Sequence, residues 1–241
     1  MKKLNLLKKF GLVTYLFIYL IFPNLAITEN TKIDLIKNLE KSFNSNNLKS
    51  IKNIFNDDES LIISKKFSKI IKEFPNAKWK FKRLDKQNFN ENIFKVKVVG
   101  EKKIDGEIYI LESNFIYMFS SSENRIKNGV IKNLLTTVRS DSNKIDIVFK
   151  IPDKVLSGTK YDLDIILNEP LGEIIVAGGI KAHQEDSYIE DEILIEPLVS
   201  GGIFKTTRAP SKPGIQIWSG VIVHPDGMIS FTKSVNIVDK I

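Results

Sequence analysis

Glu112 and Asn114 are the residues of this chain best placed for chemistry. They fall in an alternating stretch, Glu107 to Phe119, so on a strand they share one face with Ile108, Ile110, Ile116 and Met118. A carboxylate in an apolar row loses hydration, which raises its pKa and suits it to act as a general base, with Asn114 orienting the substrate. The same pair fits a plainer role, where a strand leaves its cover and meets solvent or satisfies a backbone group. The opposite face, Tyr109, Leu111, Phe115, Tyr117 and Phe119, is the more apolar, so which face points inward stays open. Trp79, Phe81, Tyr109 and Tyr117 are the aromatics that would line a pocket for a small apolar ligand, although aromatics on strands more often fill a core.

Other chemistry is thinly represented. His183 and His224 are the only histidines, too few for a three-histidine metal site, and both read as surface residues in loops or at strand ends. Glu185, Asp186, Glu190, Asp191 and Glu192 crowd into the stretch Gln184 to Glu192. They lack the EF-hand spacing and its glycine, so a solvated acidic loop, or a contact for a basic partner, fits better than a calcium site. There is no Gly-x-Ser-x-Gly, no cysteine nucleophile, and no lysine and helix after Gly178-Gly179 or Gly201-Gly202 to make a phosphate cradle. No metal and no cofactor is therefore expected. The stiff loop Ala209 to Gly214, close to Trp218, either forms a recognition edge or simply joins two strands.

Residues 1–26 read as a secretory leader: Lys2, Lys3, Lys8 and Lys9, then an apolar run from Leu12 to Phe22 broken by Pro23. Eleven residues at about 1.5 Å each reach roughly 16 Å, about half the hydrocarbon thickness of a bilayer, so cleavage after Ala26 or Thr28 is favoured over an uncleaved anchor. The expected location is the periplasm or a thylakoid lumen, with membrane contact only through an uncleaved leader. A formal charge of +7 becomes +3 once the four leader lysines are subtracted, which removes the case for nucleic acid. The remaining lysines read as scattered by compositional bias. With no cysteine, neither disulfides nor a lipid-modified amino-terminal cysteine can form.

The elements that must position these residues change character once. From Thr31 to Phe74 apolar residues recur at helical spacing, in three stretches: Ile33 to Phe43, Leu48 to Phe55 and Ser60 to Phe74. After Pro75 the period falls to two, with Trp79 and Phe81, then Phe94, Val96 and Val98, alternating with lysines. Asn128-Gly129 reads as a type I′ turn between Glu107 to Phe119 and Val130 to Arg139. From Lys144 onward seven short strands are expected, at Ile145 to Ile151, Lys160 to Leu167, Glu173 to Ile180, Glu192 to Leu198, Gly202 to Arg208, Ile215 to His224 and Met228 to Val238. His224-Pro225-Asp226-Gly227 is the turn between the last two.

Three helices followed by an antiparallel sheet over 31–141 resemble the nuclear transport factor 2-like (SnoaL-like) cone. Seven strands over 144–241 resemble an immunoglobulin-like sandwich. The expected fold is thus α+β, an NTF2-like cone of three helices on a curved antiparallel sheet, then an all-β immunoglobulin-like domain. The runs Ile151 to Gly179 and Ala209 to Ile229 are similar to an exported, uncharacterised family of photosynthetic bacteria that combines such segments. That family has no assigned function and implies no activity; the NTF2-like resemblance implies a cup that holds a small apolar ligand or a protein partner, with the sandwich as an interaction or spacer domain, and leaves oligomeric state open. The sequence favours this non-catalytic binding module over the alternative, an isomerase, dehydratase or cyclase using Glu112.

Overall fold

The computed structural model describes residues 35–45, 48–55, 58, 67–68, 70–84, 92–122, 125–140, 146–168, 174–184, 193–198 and 201–240. The leader and the five acidic residues at 185–192 lie outside them. Among the described residues twelve strands follow a short helical start: β1 (Lys78–Arg83), β2 (Asn92–Ile104), β3 (Glu107–Ser122), β4 (Arg125–Ser140), β5 (Ile147–Lys150), β6 (Lys154–Leu156), β7 (Lys160–Leu167), β8 (Ala177–Gln184), β9 (Glu196–Pro197), β10 (Gly202–Arg208), β11 (Gly214–His224) and β12 (Gly227–Val238).

Alternation explains the strands directly. In β1, Trp79 is buried between exposed Lys78 and Lys80. In β2, Phe94, Val96 and Val98 are buried while Lys95, Lys97 and Val99 are exposed. Asp105 and Gly106, at φ 51° and 91°, form the two-residue turn from β2 to β3, with both central residues in the left-handed region as a type I′ hairpin requires.

The Asn128-Gly129 expectation is corrected. These two residues lie inside β4, which pairs with β3 as far as Ser122 opposite Arg125. The register slips by one residue there, and Asn128 has φ 53°, so the pair marks a β-bulge. A methyl group on Gly129 would lie 2.4 Å from the Tyr117 hydroxyl. The same dipeptide that can turn a hairpin here lets a ring lie against the backbone.

The balance of strand and helix overturns the expected fold class. Among the described residues 65% are strand and 14% helix, in three short helical segments, so the molecule is β-rich and no three-helix NTF2-like cone forms. The second half places two sheets around a core of its own, but the larger of them is continuous with the first half. β4 pairs antiparallel with β12, Leu135 to Arg139 against Ile229 to Lys233, and this joins the two halves of the chain in one nine-stranded sheet. Its order is β1-β2-β3-β4-β12-β11-β8-β9, with β6 also paired to β12. The second bulge of β4 contains Asn133 at φ 52°, and it lies where β4 departs from β12 and β6 takes the same edge. Asn236 binds both sides of that junction through Nδ2, donating to Asn133 Oδ1 and to the Asp153 carbonyl, each at 2.9 Å.

Cross-strand partners share a face, so the pairings show what each face of the long sheet does. Over β1 to β4 one face carries Trp79, Val96, Val98, Leu111, Phe115 and Tyr117 and packs with Leu39, Phe43 and Phe55 from the helical segments. Glu112 lies on the other face. Following that other face through Thr137 leads to Phe231, which is buried with Trp218, Ile222, Leu163 and Ile165 in a second core. The three-stranded sheet β10-β7-β5 supplies the far wall of that core. One sheet is therefore covered by helices on one face in its first half and by strands on the opposite face in its second.

Side chains seal the ends of this arrangement. Asn44 donates to the Trp79 carbonyl at 2.9 Å and accepts from the Trp79 N–H at 2.8 Å, while Glu40 accepts from the Phe81 N–H at 3.0 Å. The free edge of β1 is thus satisfied by the helix over 35–44. Between the two sheets, Trp218 Nε1 donates to the Tyr161 hydroxyl at 2.9 Å and Tyr161 donates to Gln216 at 2.7 Å. Burial pushes the Tyr161 phenol above its ordinary value, and the Trp218 donor works against that shift.

Candidate functional site

The interior expected to hold a ligand is filled by the protein itself. Leu39, Phe43, Phe55, Phe67, Trp79, Phe81, Phe115 and Tyr117 enclose about 10 Å³, no more than a single water requires. Phe43 lies 4.5 Å from Trp79 between ring centroids, and Phe67 meets Trp79 edge-on at 5.2 Å. Trp79, Phe81 and Tyr117 are therefore packing residues of the first core. Glu112 and Asn114 are half-buried on the opposite, helix-free face, opposite Val99 and Lys97 on β2 and opposite Thr137 and Leu135 on β4. The structure separates the two groups of candidates by the thickness of the sheet.

Tyr109, the fourth aromatic, lies elsewhere. β3 begins with Glu107 and Tyr109, and the β11–β12 hairpin brings Val223, His224, Pro225, Asp226 and Met228 beside them, around an open cleft of about 680 Å³. Ser140 links the two parts. It is fully buried opposite Tyr109, and its Oγ accepts the Met228 N–H at 3.0 Å. The cleft thus forms where the first half of the sheet meets the last hairpin, a juxtaposition created by the β4–β12 pairing.

Its polar groups are arranged in two pairs. The Tyr109 hydroxyl donates to Glu107 Oε2 at 3.1 Å. That hydrogen bond holds the phenol above its ordinary value, with desolvation and the charges of Glu107 and Asp105 adding to it. His224 Nδ1 accepts the Asp226 N–H at 3.1 Å and lies 3.6 Å from the Asp226 carboxylate. Two carboxylates, a protonated phenol and an imidazole suit a ligand that presents hydrogen-bond donors or positive charge. Among the described residues no group of three His, Cys, Asp or Glu side chains could hold a metal ion.

The histidine expectation needs correcting on one count. His183 is in β8 and only 5% exposed, with Nε2 lacking a hydrogen-bond partner, whereas His224 closes β11 at the cleft. Gly178-Gly179 and Gly202 are strand residues, and Ala209 of the stiff loop is buried, its N–H bound to the Thr159 carbonyl at 2.9 Å. A second groove, of about 580 Å³, lies between β8–β9 and β10 and includes Leu194, Leu198 and Phe204. Sequence reasoning included Tyr109 but missed Glu107 and Asp226, because each is an ordinary turn-flanking acid until the hairpins meet.

No helix of the described residues is long and apolar enough to cross a membrane. No curated protein matches the chain. Residues 142–238, which run from before β5 to the end of β12, match a family described as a domain of unknown function, DUF8623.

Proposed function

We propose that this is an exported, non-catalytic binding protein whose ligand site is the cleft between the start of β3 and the β11–β12 hairpin. The observation that carries the reading is the contrast in room: about 10 Å³ under the helices against about 680 Å³ at the cleft. Among the described residues the cleft gathers hydrogen-bonding groups without an activated nucleophile, since Ser140 is buried and engaged with the Met228 backbone. Glu107 and Asp226 select for a small ligand with an amine or guanidine end. Export follows from the leader reading of residues 1–26.

The test is an NMR titration with putrescine, spermidine and arginine. The Tyr109 and His224 ring signals should shift on addition and stay still in the Glu107→Gln/Asp226→Asn variant. Recovery of a chemically altered amine, or shifts that survive the double substitution, would overturn the reading.

A further inference from the structure

The helix-free face of the first half collects charge that looked scattered along the chain. Pairing of β1 with β2 puts Lys78, Lys80 and Lys82 beside Val99, Lys97 and Lys95, and the pairing with β3 and β4 adds Lys103, Arg125, Lys127, Lys132 and Arg139. Ten cations share this face with two carboxylates, Glu101 and Glu112. Their excess exceeds the +3 of the chain without its leader, so the rest of that chain is net acidic. Lys80 stands directly opposite Lys97 and Lys82 opposite Lys95, an arrangement that repels itself. None of the ten has a carboxylate partner among the described residues.

Apolar side chains form a strip on the same face, interrupted on β3 by Glu112 and Asn114. Val99, Ile108 and Val130 are 36%, 38% and 39% exposed, and Ile110, Ile116 and Met118 of β3 are half-buried. We propose that this face docks on an anionic phospholipid bilayer, its lysines among the headgroups and its apolar strip at the acyl boundary. Lysine stems can lie along the strip while their ammonium groups reach outward. Nucleic acid fits less well. Trp79, Phe81, Phe94 and Phe115 all point to the opposite face, which leaves no platform for bases among the described residues, and eight of the ten cations are lysines, which lack the planar fork of arginine.

The chain has no cysteine, so Val99→Cys offers a unique attachment point for a polarity-sensitive dye, and Lys212→Cys, in the exposed loop after β10, serves as control. The full-length protein is mixed with vesicles of phosphatidylcholine alone or with phosphatidylglycerol. A blue shift at position 99 with anionic vesicles, absent at position 212 and lost in high salt, is expected. Lys80→Glu/Lys82→Glu should weaken vesicle affinity by more than about tenfold. The same change turns two repelling pairs into attracting ones, so thermal stability should hold or rise and misfolding is not the cause of the loss. No shift at 99, a shift indifferent to the charge reversal, or an equal shift with soluble polyglutamate or single-stranded DNA would overturn the proposal. The amine titration at the cleft reads a different site, so either result can fail without the other.

Discussion

The chain's two tryptophans, one in each core, make the shared sheet measurable. Trp218→Phe leaves Trp79 to report the helix-covered core, and Trp79→Phe leaves Trp218 to report the core between the sheets. The perturbation is Phe231→Ala, introduced into each. Phe231 is 3% exposed, belongs to the second core alone, and meets Phe149 edge-on with ring centroids 5.0 Å apart. Removing such a ring costs about 3–5 kcal/mol. β4 and β12 share five residue pairs, which carry on the order of five backbone hydrogen bonds at about 1 kcal/mol net each. A state with only one half unfolded forfeits that ladder, a penalty of roughly a thousandfold or more. In urea the two reporters should therefore show one midpoint, and Phe231→Ala should lower both by about 1–2 M. A fall at Trp218 with the Trp79 midpoint unmoved would refute the coupling and show two independent units.

Three further outcomes follow from local geometry. Trp79→Phe should destabilise less than Trp218→Phe in the same denaturation assay, because Trp79 Nε1 is buried without a partner while Trp218 Nε1 loses its bond to Tyr161. Gly129→Ala should cost about 1–3 kcal/mol, and Tyr117→Phe should recover part of that cost by removing the atom 2.4 Å from the new methyl; strictly additive losses would count against the bulge contact. The Tyr161 phenol is raised in the folded state, so its contribution is complete below 10.0 and stability declines as pH rises from there through the folded value. Phenolate absorbance, taken as the difference from Tyr161→Phe, should titrate above 10.0, and titration at or below it would contradict the burial.

What could be read from the residues was local. Trp79 and Phe81 alternating with lysines placed β1, and Tyr161, Leu163 and Ile165 alternating with aspartates placed β7. The turn His224 to Gly227 also lies where its residues put it, because proline and glycine act over a few bonds. Asn128-Gly129 misled for a related reason. Positive φ suits a hairpin or a bulge equally, and only the partner strand's register tells them apart.

Alternation divides a strand's side chains between two faces but names neither the neighbour nor the cover. From the sequence alone, Glu112 and Leu111 were rival core residues. The helices, packed over Leu111, left Glu112 on the open side. The β4–β12 pairing spans about a hundred residues, and no short-range signal encodes it, yet it joined the two halves in one sheet and formed the Tyr109 cleft. It decided the charge as well. The composition determined how many lysines the chain has, and the order of the residues how strongly they alternate with apolar neighbours. Strand register, which depends on every packed side chain at once, decided that ten cations would stand together on the face that the described helices leave open.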